Sequence, residues 1–138
     1  MTVLSETDIK AIKSFVQVVL GCTCPNEVFL NIKLEKNPSN FSDLSRGDLI
    51  SIGGTLLVYL IKPNDGEDLA DKLKQLFNRG QETRDKGGFN RFRLVVSTSR
   101  IQPTQEILAR QFEILEDIDG RLHLHVIGIE QLPDLIAQ

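Results

Sequence analysis

The chain has 138 residues, 41% of them hydrophobic and 25% charged, with a formal net charge of −3. That length suits one domain with its own core, and the acidic balance makes nucleic acid an unlikely general partner, since such binding wants a basic field. The longest apolar run, Leu56 to Ile61, is strand-sized and far short of the roughly 18 residues of a membrane span. The first residues lack the basic-then-apolar order of a signal peptide, so a cytoplasmic location is the expectation.

Ser5-Glu6-Thr7-Asp8 has the spacing of a capping box, a hydroxyl followed three residues later by a carboxylate. Ile9, Ile12, Phe15, Val16, Val19 and Leu20 recur at helical spacing and Gly21 stands where a helix stops, which predicts an amphipathic helix over 6–20. Pro25 suits a first helical position, so one or two helical turns are expected over Pro25–Leu30. Asn31 to Lys36 reads as a strand with Ile32 and Leu34 inward, broken by Asn37-Pro38-Ser39-Asn40.

Leu49 to Ile61 reads as a short strand, a bend at Gly53-Gly54 and a main strand Thr55–Ile61, whose unbroken apolar run predicts burial on both faces, as in a parallel sheet. After the turn Lys62–Gly66, Leu69, Leu73, Leu76 and Phe77 mark a helix expected to end near Gly80, with a loop over Arg84–Gly88. Asn90 to Ser97 alternates as a strand. Pro103 and Thr104 open a third helix with Ile107, Leu108, Phe112, Leu115 and Ile118 as its apolar set; a rival reading makes Phe112–Asp117 a strand in a hairpin across Asp119-Gly120, and periodicity favours the helix. Arg121–Ile127 is the last strand, and Glu130–Ile136 reads as a closing helical turn.

The alternation from residue 55 onward implies parallel strands joined by helical crossovers. The expected fold is therefore a single α/β domain over 1–138: a small, layered structure with a partly parallel sheet of about four to five strands and helices packed on it.

The first chemical candidate is Cys22-Thr23-Cys24-Pro25, which holds both cysteines of the chain. A cysteine at a helix start gains from the free amides there, which lower a thiol's pKa. A disulfide across one intervening residue closes a tight ring and is readily reduced. Cys22 and Cys24 are thus candidate catalytic thiols of a redox dithiol, with Cys24 the more reactive, or metal ligands; ordinary packing is the plain alternative.

His123 and His125, the only histidines, stand two apart on a strand and so point to one face, where two imidazoles can chelate a metal. With Cys22 and Cys24 they make a Cys₂His₂ set, which suits tetrahedral zinc, although the pairs lie about a hundred residues apart, outside any zinc-finger spacing. A thiolate-only zinc or iron–sulfur centre would have to be shared between two subunits, since each chain supplies two thiolates.

Arg84 to Arg100 holds five cations (Arg84, Lys86, Arg91, Arg93, Arg100) against one acid, whereas Ile101 to the end holds two cations and seven acids. This asymmetry suits an anion-binding rim using Arg91, Arg93 and Arg100, or complementary faces of a homo-oligomer. Ser97-Thr98-Ser99-Arg100 falls where a parallel strand should end, the edge at which ligands of open α/β sheets gather. Phosphate-loop, dinucleotide, nucleophile-elbow and zinc-protease signatures are all missing from the chain. Three function classes follow: a thiol redox or metal-binding protein, a non-enzymatic interaction or assembly protein meeting another protein or its own copy, and a module binding a small anion.

The stretch Gly21-Cys22-Thr23-Cys24-Pro25-Asn26-Glu27-Val28-Phe29, together with Gly87-Gly88-Phe89-Asn90-Arg91-Phe92-Arg93-Leu94, resembles a family of small, uncharacterised prokaryotic proteins. The resemblance implies a cytosolic prokaryotic protein and supplies no activity.

The dithiol reading is tested by titrating thiol reactivity against pH. At least one cysteine should react with a pKa below the roughly 8.5 of a free thiol, or a metal should copurify; two ordinary thiols without metal would remove that reading.

Overall fold

A computed structural model of the chain describes residues 4–21, 26–63, 69–115 and 120–133. Helix α1 (Glu6–Ser14) starts on the predicted capping box: the Asp8 amide donates to Ser5 Oγ at 3.1 Å, and the Ser5 amide donates to Asp8 Oδ2 at 3.1 Å. It continues not as α-helix but as one wide turn, Phe15–Val19, in which the Leu20 amide donates to the Phe15 carbonyl five residues back at 3.1 Å. That wider turn brings Leu20 round to the buried side with Ile12, Phe15 and Val16, while Val18 faces out at 77% exposure. Gly21 ends the segment at φ +69°, the left-handed conformation anticipated for it.

Five strands form one sheet in the order β1 (Ile32–Lys36), β2 (Gly47–Ile52), β3 (Leu56–Ile61), β4 (Arg91–Thr98) and β5 (Leu122–Gly128). The first three form an antiparallel meander, and β4 and β5 join parallel to β3. The expected α/β domain with a partly parallel sheet is the observed one. Gly53 and Gly54, at φ +59° and +68°, form the centre of the tight turn between β2 and β3, closed by the Thr55 amide on the Ile52 carbonyl at 3.1 Å. Both central residues need positive φ in such a turn, which only glycine supplies without strain.

All six residues of β3 are buried, because helices pack on both sheet faces. On one face α1 and its wide turn cover Leu34, Ile50, Ile52, Leu56, Val58, Leu60, Val95 and Ile127. The other face carries the crossovers α3 (Leu69–Gly87) and α4 (Ile101–Ile114) and the short helix α2 (Ser39–Ser42), over Leu57, Tyr59, Ile61, Phe92, Leu94 and Val96. Phe41 stacks on Tyr59 with centroids 4.3 Å apart, and Phe77 meets Phe92 edge-on at 6.1 Å. Tyr59 donates its hydroxyl to the Ser45 carbonyl, so the one buried phenol is satisfied. Among the described residues no helix is long and apolar enough to cross a membrane.

Several expectations about the elements are corrected. The second predicted helix does not end near Gly80 but runs to Gly87, taking in the stretch expected to be a loop. Gly80 serves packing rather than termination: a Cβ there would overlap the Phe92 ring. The third helix begins at Ile101, with Pro103 inside its first turn where the missing amide hydrogen costs nothing. The hairpin alternative also fails, because residues 112–114 are helical and β5 pairs with β4 in parallel. Of the stretch that was ambiguous, residues 116–119 lie outside the described residues, as does Ile118 with them. Within the expected closing turn over 130–136, the described part is a short 3₁₀ segment, Ile129–Gln131, and residues 134–136 lie outside the described residues.

Gly80→Ala should lower the urea midpoint of unfolding. Helix propensity alone would favour alanine by about 1 kcal/mol, but overpacking against the rigid Phe92 ring should cost about 1–3 kcal/mol. A midpoint equal to or above the parent's would show that the close approach of α3 to β4 is not a packing constraint.

Candidate anion site on strands β4 and β5

Side chains alternate across a sheet, so odd-numbered positions of β4 and β5 share the α1 face with Val95 and Ile127. The odd positions toward the amino ends are Arg91 and Arg93 on β4, and His123 and His125 on β5. Pairing is parallel with Arg93 opposite His123 and Val95 opposite His125. Each arginine reaches one step diagonally: Arg91 Nη1 lies 3.0 Å from His123 Nε2, and Arg93 Nη1 lies 2.8 Å from His125 Nε2. Such diagonal neighbours are within range of long side chains.

A guanidinium can only donate, so each Nε2 must accept. Both imidazoles are therefore neutral with the proton on Nδ1. The electrostatics agree. Burial, then the Arg93 guanidinium, then His123 hold the His125 imidazole down at about 4. Burial, followed by Arg93 and Arg91, also lowers the pKa of His123. Burial, with Arg91 beside it, lowers that of the Arg93 guanidinium itself.

The site is distinguished by what the cations lack. Among the described residues neither Arg91 nor Arg93 has a carboxylate partner, in contrast to Arg79 on Asp43 and Lys36 on Asp48. Arg93 is half-buried, flanked by Val58 on β3, and its buried Nε has no acceptor among the described residues. An unsatisfied buried donor costs about 1–3 kcal/mol and calls for an explanation. On this face β4 and β5 carry no acid: the odd positions are Arg91, Arg93, Val95 and Ser97, then His123, His125 and Ile127.

The other predicted site residues are not brought to this corner. Arg84 is a buried side chain of α3 bonded to Asp85, and Lys86 pairs with Glu82. Arg100 follows the carboxyl end of β4, seven residues beyond Arg93 and so about 20 Å along the strand direction. Ser97 is buried and donates to the Ile61 carbonyl at 3.2 Å, so it ties β4 to β3 rather than facing a ligand. Cys22 and Cys24 lie outside the described residues. The segment that follows them, Asn26–Leu30, is a five-residue 3₁₀ turn, too short to carry the helix field invoked for Cys24. Among the described residues no three metal-ligating side chains come together. The Nε2 lone pairs of His123 and His125 already accept from guanidinium groups, so a metal there would have to displace an arginine.

The coupling of Arg91 and Arg93 to the two histidines went unread in the sequence. Its signal was present as two period-two pairs, Arg-x-Arg and His-x-His, on consecutive predicted strands. Comparison with protein-family models, with curated proteins and with solved structures found no match.

The depressed imidazole makes stability depend on pH. The folded-state value of His125, about 4, lies below the ordinary 6.5, so the unfolded chain takes up the proton first. Stability is full above about pH 6.5 and falls as pH drops toward about 4. Discounted for solvent at a half-open site, the loss is of order 1–2 kcal/mol. His125→Gln keeps an acceptor for Arg93 but does not titrate, so its urea midpoint should fall less over that window. Parallel curves for parent and variant would show that His125 does not set the acid limb.

Proposed function

We propose that this protein is an anion-binding module whose site is the sheet corner formed by Arg91, Arg93, His123 and His125. The observation that supports it most is the pair of guanidinium groups spent on neutral imidazoles, with no carboxylate and with one buried nitrogen lacking an acceptor among the described residues. Structural arginines are ordinarily matched to acids or carbonyls. Two that are not, placed side by side on a rigid sheet, form a preorganised receptor for an oxyanion.

The chemistry of recognition follows from the donor set. A phosphate, sulfate or carboxylate offers the charge-assisted acceptors that the imidazoles replace weakly. An anion that draws Arg93 outward gives its Nε an acceptor and relieves that unsatisfied donor. Val58 and Val95 beside the arginine keep the local dielectric low, which strengthens the attraction. Neutral His123 and His125 contribute their Nδ1–H groups as further donors without adding to the like-charge repulsion between the arginines. The site uses the part of the predicted basic region that converges, Arg91 and Arg93, and leaves out Arg100.

Thermal unfolding with sulfate against chloride at matched ionic strength tests the reading at pH 8. A ligand at about 100 times its Kd adds about 2.7 kcal/mol, a shift of several degrees in Tm for a chain of this size. Arg93→Gln and Arg91→Gln should each lose most of the shift. No sulfate-specific shift, or one that both variants keep, would defeat the proposal.

A further inference from the structure

Resting on that reading, we infer that the ligand is a small molecule carrying two oxyanion groups, spaced by one two-residue step of a strand, rather than a single phosphate. The donors at the corner are not one cluster but two. Arg91 with His123 forms one couple and Arg93 with His125 the other, each closed by a contact of 3.0 Å or less. Both members of one couple stand two residues from their counterparts in the other, on parallel strands that rise about 3.3 Å per residue. The couples are therefore centred about 6.6 Å apart.

Charge-assisted hydrogen bonds act over about 2.7–2.9 Å. An oxyanion seated on one couple leaves the other couple still without an acid among the described residues. A second anionic group at the matching distance completes both, and the rigid sheet sets that distance in advance, which lowers the ordering cost of binding.

The two subsites differ in depth. Arg93 and His125 are half-buried against Val95 and the covered part of the face, whereas Arg91 is exposed at the strand's beginning. The inner couple is the stronger anchor because its field is less screened. The outer couple selects for the second group. A small ligand suits the site better than a polynucleotide. This face of β4 and β5 bears no Phe, Tyr or Trp on which bases could stack, and the chain's net charge of −3 provides no wide basic field.

A series of α,ω-alkane bisphosphonates of increasing length, titrated calorimetrically at pH 8 and constant ionic strength with methylphosphonate as the single-anion reference, measures the spacing directly. Affinity should pass through a maximum at an intermediate length and exceed that of methylphosphonate at least tenfold there. Arg91→Gln should reduce the best bisphosphonate to the level of methylphosphonate, and Arg93→Gln should abolish measurable binding of both; circular dichroism confirms that each variant is folded. Affinity independent of length, or equal to that of methylphosphonate, would overturn the two-anion inference and leave the anion site standing. Absence of binding by every member would overturn both. A single-stranded oligonucleotide binding tighter than any bisphosphonate would replace the small ligand by a polymer.

Discussion

Burial of β3 on both faces is the constraint from which the rest of the structure follows. Its six residues, Leu56 to Ile61, are all at 2% exposure or less. A strand so apolar must be covered above and below and paired on both edges, because its backbone amides and carbonyls have no access to water. The tight glycine turn supplies one neighbour, β2, in antiparallel sense. The long crossover through α3 supplies the other, β4, in parallel sense. Leu57, Tyr59 and Ile61 then call for α3 and the Phe41–Tyr59–Phe92 stack on one side. Leu56, Val58 and Leu60 call for α1 and its wide turn on the other.

The two faces are not covered equally, and the candidate site lies in the difference. Two crossover helices span the face that holds Phe92 and Leu94. The opposite face is packed by α1, its wide turn, Phe29 and Leu132, and among the described residues the apolar cluster there takes in Val95 and Ile127 toward the carboxyl ends of β4 and β5. Toward the amino ends polar side chains can stand without being sealed off. The Arg–His couples occupy this corner, with Arg93, His123 and His125 half-buried beside an apolar floor and Arg91 exposed at its rim. Deeper burial would forbid guanidinium groups without an acid, and full exposure of the inner couple would screen its field.

Much of the fold was legible in local pattern. The capping box at Ser5, the stop at Gly21, the glycine bend before β3 and the alternation in β4 and β5 each record a local physical preference, and each is where expected. The failures have a common cause. Gly80 reads as a helix end by propensity, but the close approach of Phe92 gives a glycine there a packing reason that no local rule contains. Phe41 sits in a stretch of breaker residues, yet tertiary stacking on Tyr59 makes it a core residue at 0% exposure. Arg84, expected in a loop, and Ser97, expected at the sheet edge where a ligand could gather, are both buried.

By itself the sequence determined the five strands, the main helices, their order and the class of the fold, though not the short helix α2 or the wide turn after α1, because periodicity, capping and glycine placement are properties of neighbouring residues. It also determined that Arg91 and Arg93 share one face of their strand and His123 and His125 one face of theirs, since the period of a strand is two. Only the tertiary structure decided that these faces are the same face, that β4 and β5 are adjacent, and that their register sets each arginine diagonally against one imidazole. Register is a long-range quantity. It is set by how the crossovers seat Phe92, Leu94 and Leu122 in the core, and a shift of one residue would turn the four side chains to opposite sides of the sheet.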